Sequence, residues 1–386
     1  MKSSIDNGVI TLFIGGHIDS ANAAAVEAEI NENLNGYTND ELILDFDELT
    51  YISSVGLRII LRLKKAHKNT KIINVCADVY EIFGMTGFSE MMEIQKGYRK
   101  LSVDGCEKIG EGSNGIVYRL DPDTIIKVYR NPNSLPDIHK ERELARKAFV
   151  LGIPTAIPYD VVKVGNTYGS VFELLNAKSF AQIVAADRSE LKRTTDEYVK
   201  LLKQIHSTEV TPGDMPVMKT VAVNWVKDLK NAIPEETYNK LLSMIEEIPE
   251  KNTMLHGDYH FNNVMVQNGE ILLIDMDTLC VGHPVFEFAS IFLANVGFSE
   301  LDNSQVEKFM GITYDVSTKI WEDTLKLYFG TEDEKTLEEY ANKAKIIGYT
   351  RLLRRTIRRA PDNTALIEYC KNNLTELTEK VNSLVF

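Results

Sequence analysis

Apolar runs typical of strands alternate with amphipathic segments typical of helices over the first hundred residues. The run LILDFDEL is followed by the amphipathic segment LRIILRLKKAHK, and the run KIINVCA is followed by DVYEIFGMTGF. A short apolar run suits a buried strand, and a stripe of apolar residues at helical spacing suits a helix on its surface. This alternation predicts a small α/β domain whose helices pack on a sheet.

A polar stretch at residues 97–107, GYRKLSVDGCE, interrupts the alternation and reads as a linker. Beyond it the pattern is strand-rich to about residue 175 and helix-rich afterwards, apart from the hairpin-like stretch NNVMVQNGEILLIDMDT. A chain of 386 residues is also longer than one usual domain. We therefore predict one domain at 1–103 and a second at 104–386, divided into a strand-rich lobe at 104–175 and a helical lobe at 176–386.

Composition excludes several classes of protein. The 43 basic and 56 acidic residues give a net charge of −13, which argues against a general nucleic-acid binder or a binder of anionic membranes. No apolar run approaches the ~18 residues of a membrane helix. The cysteines are far apart and form no CxxC pair, which argues against a zinc ribbon or a disulfide scaffold and predicts buried thiols in a cytoplasmic protein: Cys76, Cys106, Cys280 and Cys370.

A glycine-rich segment, GEGSNGIVYRL at 110–120, fits the pattern GxGxxGxVY. A dinucleotide fold would need a helix directly after the glycines, but IVYRLDPDTIIKVYR indicates two strands around a turn. Glycines beside such strands would let backbone amides approach phosphates, although a plain glycine-rich hairpin is the simpler interpretation. The candidate phosphate-binding residues are Gly110, Gly112, Ser113, Asn114 and Gly115.

Lys127 lies twelve residues beyond Gly115, on the second of these strands. The following segment, DIHKERELARKAFVLG, predicts a helix with two acids that could hold this lysine. Glu141 shares the apolar stripe that would face the sheet, whereas Glu143 lies among basic residues at ion-pair spacing. We choose Glu141 as the partner of Lys127; the alternative for Lys127 is an ordinary surface lysine.

The segment YGSVFELLNAKSF ends the strand-rich part. An apolar strand that runs into a short connector suits an adenine-binding hinge, in which only backbone groups would be used. The candidate hinge residues in 172–175 are Phe172, Glu173 and Leu175.

The most informative polar group is HGDYHFNNVMV, followed by ILLIDMDT. Asp258 and Asn263 stand five residues apart, and Asp275 follows twelve residues later at the end of an apolar strand. Phosphoryl transfer needs a carboxylate for the acceptor hydroxyl, and an amide and a second carboxylate for Mg²⁺. The alternation of His256, Asp258 and His260 also permits a hydrolytic metal centre, but that leaves the glycines, the lysine and Asn263 unexplained.

Together, in this order and spacing, the glycine segment, lysine, glutamate, HGDxxxxN and IDxD resemble the aminoglycoside phosphotransferase (choline-kinase-like) branch of the protein-kinase-like fold. The resemblance implies an α+β bilobal domain in which Asp258 is the catalytic base and Asn263 and Asp275 bind Mg²⁺. It also implies that Lys127 contacts the α- and β-phosphates. Where the family usually has Asp, GHPVFEF has Glu287, and Asp277 is an extra carboxylate near the metal ligands.

Five arginines occur within nine residues in RLLRRTIRR: Arg351, Arg354, Arg355, Arg358 and Arg359. At helical spacing most of them share one face. This face could meet an anionic substrate or partner, or it could be a solvated surface paired with the many acidic residues.

The first hundred residues, with HIDSANA, YISSVGLRII and FGMTGFSEMMEI, resemble a STAS domain, the fold of bacterial anti-sigma-factor antagonists. The resemblance implies that Ser54 is the phosphoacceptor, at a helix N-terminus where a phosphate is favoured. The residue before it, often Asp in that family, is Ser53 here. A helix-capping serine is the alternative interpretation.

These patterns predict a cytoplasmic phosphotransferase that uses Mg²⁺ and ATP or GTP to phosphorylate a hydroxyl of a small molecule. The N-terminal STAS-like domain would bind a regulatory protein. The alternative is a partner-switching regulator, an anti-sigma factor antagonist, whose kinase-like domain is a nucleotide-sensing scaffold.

Overall fold

The computed structural model describes residues 1–111, 115–156, 158–174 and 177–386. These residues form two compact units. The first comprises Met1–Tyr118, Lys127–Pro132 and Asp160–Val171, and the second comprises Arg119–Ile126, Asn133–Tyr159 and Phe172–Phe386. The units group strands from both sides of residue 103, so the predicted domain boundary at that position stays a prediction.

The N-terminal part of the first unit is an α/β fold, as the alternation predicts. Its central sheet has the order β1-β2-β4-β6-β7, in which β1 is antiparallel to β2 and the other neighbours are parallel. A two-stranded parallel sheet joins β3 and β5. The elements are β1 (Lys2–Asp6), β2 (Val9–Phe13), β3 (Gly16–Ile18), α1 (Ala23–Asn33), β4 (Glu41–Asp45), β5 (Leu49–Ile52), α2 (Ser54–Ala66), β6 (Asn69–Val75), α3 (Ala77–Met85), α4 (Phe88–Met91) and β7 (Glu93–Lys96).

The core of this part forms between the sheet and its helices. Leu42 and Leu44 alternate with more exposed residues along β4 and are fully buried. Leu57 and Ile60, on the apolar stripe of α2, are buried in the same cluster. The two periodicities, of strand and of helix, therefore meet in one apolar layer.

A six-stranded sheet, most of whose residues belong to the first unit, has the order β8-β12-β13-β11-β10-β9. Its strands are β8 (Arg99–Lys100), β9 (Glu107–Glu111), β10 (Gly115–Arg119), β11 (Thr124–Tyr129), β12 (Asp160–Val164) and β13 (Thr167–Glu173). The stretch predicted as a linker thus contains an edge strand, β8, which runs parallel to β12. In addition, the Asp47 carboxylate, just after β4, forms ion pairs with Lys100 of β8 at 2.9 Å and Lys163 of β12 at 3.4 Å.

The second unit is mainly helical and includes a three-stranded sheet, β14-β16-β17, and a two-stranded sheet, β15-β18. Its elements are α5 (Leu135–Val150), β14 (Lys178–Ser179), α6 (Phe180–Ala186), α7 (Leu191–Ser207), α8 (Met218–Asp228), α9 (Glu235–Glu246), β15 (Met254–Leu255), β16 (Val264–Gln267), β17 (Glu270–Leu273), β18 (Cys280–Val281), α10 (Val285–Asn295), α11 (Ser304–Met310), α12 (Tyr314–Phe329), α13 (Glu334–Arg359) and α14 (Thr364–Lys380).

Helix α10 lies at the centre of the second unit. All of its residues are buried, which suits a helix in which most residues are apolar. Gly348 of α13 lies against this helix, where a Cβ atom would come within 2.7 Å of the Phe292 side chain. The absence of a side chain at position 348 therefore allows α13 to pack closely on α10.

None of the helices described for this chain combines the length and the apolar character needed to cross a membrane. All four cysteines are free thiols. Cys280 and Cys370 are buried as predicted, but Cys76 and Cys106 are partly exposed, so the expectation of four buried thiols is wrong for these two.

Candidate active site

The loop at 256–263 connects β15 to β16 and carries two of the predicted site residues, Asp258 and Asn263. The hairpin of β16 and β17 closes at Asn268 and Gly269, both in the left-handed region, and pairs Val264 with Leu273. The Ile274 amide donates to the Asn263 carbonyl at 3.0 Å. The hairpin thus brings Asn263 close to the residue that precedes Asp275.

The Asp258 carboxylate is accessible and lies between basic groups. Its side chain is 41% exposed, and its two oxygens lie 3.5 Å from Nε2 of His260 and 3.8 Å from Nη2 of Arg351. Burial raises the pKa of Asp258, but the hydrogen bond and charge of His260, with the charge of Arg351, outweigh it and hold this pKa well below the usual range. Asp258 is therefore a carboxylate at neutral pH.

The backbone of the loop is held by Glu287 at the start of α10. The Glu287 side chain is completely buried. Its Oε2 accepts a hydrogen bond from the His256 amide at 2.5 Å, and its Oε1 accepts one from the Gly257 amide at 3.0 Å. The glutamate that replaces the family's usual aspartate therefore fixes the two residues directly before Asp258.

Both ring nitrogens of His256 form hydrogen bonds that stabilise the loop. One nitrogen, Nε2, lies 3.1 Å from the Ile274 carbonyl and donates to it, and the other, Nδ1, accepts from the Asp258 amide at 3.3 Å. Across the described ranges, no group of three or more His, Cys, Asp or Glu residues is arranged to hold a metal ion. These contacts stabilise the loop and give no support to the alternative of a hydrolytic metal centre.

Two buried tyrosines fix the middle of the loop. Tyr198 of α7 donates through its hydroxyl to the Tyr259 carbonyl at 3.0 Å, and Tyr259 donates to the Tyr198 carbonyl at 2.8 Å. Their ring centroids are 4.3 Å apart. The Tyr259 amide also donates to Oγ of Ser290 on α10, at 3.1 Å. Tyr198 and Ser290 could not be identified from the sequence, because nothing near them in the chain marks a contact with this loop.

The chemistry of Asn263 and Asp275 fits Mg²⁺. The buried Asn263 amide nitrogen donates to the Asp258 carbonyl at 2.9 Å, which leaves its side-chain oxygen as the atom that could bind a metal. Asp275 is exposed and has φ 63° and ψ 63°. Mg²⁺ prefers oxygen ligands and usually takes only one or two from the protein, since substrate phosphates and water supply the others. The side-chain oxygens of Asn263 and Asp275 are of this ligand type, and their role as Mg²⁺ ligands stays a prediction.

The glycine segment and the lysine lie on neighbouring strands of the six-stranded sheet. Gly110 is in β9 and Gly115 begins β10, where a Cβ atom would lie 2.4 Å from the Val128 carbonyl oxygen. Gly115 is thus required by the close approach of β11. Lys127 lies on β11, with Nζ 5.3 Å from the centroid of the Tyr129 ring. Three of the predicted phosphate-binding residues lie outside the described residues: Gly112, Ser113 and Asn114.

The two acids proposed for Lys127 differ in burial as the helical pattern predicts. Glu141 of α5 is buried, with 8% exposure, whereas Glu143 is exposed. The pairing of Glu141 with Lys127 stays a prediction. Of the hinge residues, Phe172 and Glu173 end β13, and Leu175 lies outside the described residues.

The candidate phosphosite lies in the N-terminal part. Ser54 is the first residue of α2 and is exposed. Ser53 occupies the N-cap position, but its side chain accepts no capping hydrogen bond. The capping interpretation of these serines is therefore not supported by a side-chain contact.

The protein-family comparison matches residues 105–312 to the phosphotransferase enzyme family, abbreviated APH. The chain belongs to the phosphotransferase enzyme family. Residues 2–101 match the STAS domain. The chain is therefore an α/β STAS domain followed by a phosphotransferase-family domain with an α+β kinase-like fold, which confirms both predicted resemblances.

Individual relatives agree with each part of this phosphotransferase-family chain. Over 100 residues it is 29% identical to BtrV of Bordetella bronchiseptica, described as a candidate anti-sigma factor antagonist; the match covers 24% of this chain and 85% of BtrV. Among solved structures, a thermostable mutant of aminoglycoside phosphotransferase APH(4)-Ia in its apo form matches with TM-score 0.50 and 13% identity, over 71% of this chain and 94% of that one.

A second structure of a thermostable APH(4)-Ia mutant, in a ternary complex with ADP and hygromycin B, matches with TM-score 0.50 and 14% identity. It covers 71% of this chain and 93% of that one. At these identities the likeness shows the fold of the phosphotransferase family.

Proposed function

We propose that the region 104–386 transfers a phosphoryl group from ATP or GTP to a hydroxyl of a small molecule. The observation that carries the proposal is the accessible, ionised Asp258 on a loop whose preceding amides are held by Glu287. A fixed carboxylate beside oxygen ligands for a metal is the arrangement that phosphoryl transfer to a hydroxyl requires.

In the proposed reaction, Asp258 accepts a hydrogen bond from the acceptor hydroxyl and orients its oxygen toward the γ-phosphorus. The new O–P bond forms while the bond from the γ-phosphorus to the bridging oxygen of the nucleotide breaks. The hydroxyl proton passes to the Asp258 carboxylate and then to solvent. A carboxylate with a low pKa is sufficient, because a loose transition state needs the proton to leave only late.

The remaining roles follow the family resemblance. The Asn263 side-chain oxygen and the Asp275 carboxylate would hold Mg²⁺, which offsets the negative charge of the nucleotide phosphates when bound. Lys127 would contact the α- and β-phosphates, and Glu141 would orient it. Backbone groups of 110–115 and 172–175 would contact the phosphates and the adenine, respectively.

Calorimetry with Mg-ATP and Mg-GTP tests the first half of this proposal, and binding of neither nucleotide would overturn it. A panel of hydroxyl-bearing metabolites, assayed by nucleotide consumption, tests the second half. Asp258→Asn should lower turnover by about 10²-fold or more and change nucleotide affinity little, because the base acts in the transition state. Asp362→Asn, at an exposed aspartate outside the site, is the matched control and should leave turnover unchanged.

A second candidate function is partner switching through the STAS domain. Its support is the exposed position of Ser54 at the first residue of α2, where a phosphate would add charge to the surface. We expect Ser54→Ala to retain, and Ser54→Asp to weaken, a complex with an anti-sigma factor or a similar regulator. Ser89→Asp, at another exposed serine, is the control. A complex that is equally stable with Ser54→Asp would count against this function.

A further inference from the structure

The last turns of α13 bring arginine side chains to the loop that carries Asp258. Nη1 of Arg351 donates to the Gly257 carbonyl at 3.0 Å, and its Nη2 lies 3.8 Å from the Asp258 carboxylate. The Arg351 guanidinium also lies 5.7 Å from the ring centroid of Trp225 on α8. Arg351 is therefore anchored at the edge of the candidate site.

The other arginines of this helix differ in their partners. Arg354 is paired, with Nε 2.5 Å from the Asp228 carboxylate. Arg355, one turn beyond Arg351, is exposed and lies 5.1 Å from the ring centroid of Phe298. Within the described ranges, no carboxylate lies within ion-pair distance of Arg355, Arg358 or Arg359. The cluster thus divides into two arginines that contact a carboxylate, Arg351 and Arg354, and three that do not.

The neighbouring arginines act on Arg355 through their charges. Desolvation by the surrounding protein lowers the pKa of Arg355, and the charges of Arg359 and Arg351 lower it further. The charge of Asp258 has the opposite effect on this pKa. Like charges held together on a rigid helix repel, and an anion bound between them would relieve that repulsion.

We propose that Arg355, together with Arg351, forms a subsite for an anionic group, a carboxylate or a phosphate, on the acceptor whose hydroxyl lies at Asp258. This inference rests on the proposed function and names the substrate class of the same site. Guanidinium groups one helical turn apart, a rise of ~6 Å, can both reach one small anion, and their planar donors suit carboxylate and phosphate oxygens. A polycationic acceptor would be repelled by the same charges.

Anion binding can be tested without knowledge of the acceptor. The full chain has two tryptophans, and Trp321 is buried in the helical core, so a fluorescence change on titration with inorganic phosphate would come mainly from Trp225 beside Arg351. In the presence of saturating Mg-ADP, we expect a saturable change in fluorescence. Arg355→Gln should weaken the apparent affinity for phosphate at least tenfold. Arg354→Gln, which removes the same charge from an already paired residue, should alter this affinity less than about twofold.

Absence of a saturable change in the wild-type chain, or an equal effect of the two variants, would overturn the subsite. Loss of the phosphate effect when Mg-ADP is added would also overturn it, because the arginines would then bind the nucleotide. These outcomes do not depend on turnover.

Turnover then tests the substrate class. Small-molecule extracts separated into acidic, neutral and basic fractions are supplied with Mg-ATP or Mg-GTP, and nucleotide consumption is followed. We expect nucleotide consumption with the acidic fraction. For the acceptor purified from that fraction, the KM should rise about 10- to 100-fold in Arg355→Gln and less than about twofold in Arg354→Gln. Consumption confined to neutral or basic fractions would overturn the inference. No consumption with any fraction, alongside phosphate binding, would count against the phosphotransferase function and leave the anion site standing.

Discussion

Replacing Glu287 by Gln should destabilise the loop that carries Asp258. The change keeps the size of the side chain but replaces one carboxylate oxygen by an NH₂ group. Because the two oxygens accept from the His256 and Gly257 amides, at 2.5 and 3.0 Å, one of these buried backbone donors would then face another donor. The remaining hydrogen bond would also have a neutral acceptor instead of a charged one.

The expected loss of stability depends on the burial of the Glu287 side chain. A hydrogen bond to a charged partner contributes about 1.5–3 kcal/mol, and a buried donor left without an acceptor costs about 1–3 kcal/mol. The Glu287 side chain has no exposed surface, so water cannot replace the lost acceptor. A neutral amide is less costly to bury than a carboxylate, which offsets part of the loss. We therefore expect the free energy of unfolding of this region to fall by about 2–3 kcal/mol.

Two measurements on the full chain check this expectation. Urea denaturation gives the change in the free energy of unfolding, and hydrogen exchange gives the local protection of the His256 and Gly257 amides, which should decrease. Glu368→Gln is the control, because Glu368 is 62% exposed and its surface ion pair with Lys371 contributes little. Turnover should also fall in Glu287→Gln, since Gly257 directly precedes Asp258.

If Glu287→Gln unfolds at the same urea concentration as the wild type and its two amides remain equally protected, Glu287 does not hold the loop. A loss of stability without any change in these amides would assign Glu287 to the core instead.

Three further perturbations have defined outcomes. Burial, with the charges of Lys251 and other basic groups, lowers the pKa of His283 to about 4. The contribution of neutral His283 to stability is therefore complete above pH ~6.5 and decreases as the pH falls toward 4. His283→Gln should remove about 2 kcal/mol of the stability difference between pH 7 and pH 5, measured by urea denaturation at both pH values. Tyr198→Phe should cost about 1–2 kcal/mol, measured in the same way, because the buried Tyr259 carbonyl loses its donor. Gly257→Ala should lower both melting temperature and turnover, since Gly257 has φ +82° and an added Cβ would lie 2.5 Å from the Thr278 carbonyl oxygen; an unchanged melting temperature would contradict the close approach.

Local patterns predicted much of the fold. The short-period alternation predicted the α/β N-terminal part, and the stretch around Asn268 and Gly269 predicted the hairpin that brings Asn263 toward Asp275. Helical periodicity also separated the buried Glu141 from the exposed Glu143. These properties depend on neighbours a few residues away, which the sequence displays directly.

Long-range contacts could not be predicted in this way. The stretch predicted as a linker contains β8, because the exposed edge of β12 offers it backbone partners. Likewise, nothing near Tyr198 in the sequence indicates that its hydroxyl binds the Tyr259 carbonyl, 61 residues later.

The amino-acid sequence by itself determined the two families, their order and the polar residues available for chemistry, because each motif is local. The tertiary structure alone decided what surrounds Asp258. Arg351 contacts Gly257, 94 residues away in the sequence, because α13 packs on α10 and ends beside the loop that Glu287 holds. The arginine run was visible as charge in the sequence, but only the packing of that helix distinguished Arg354, which is paired with Asp228, from Arg355, which lies over the Phe298 ring.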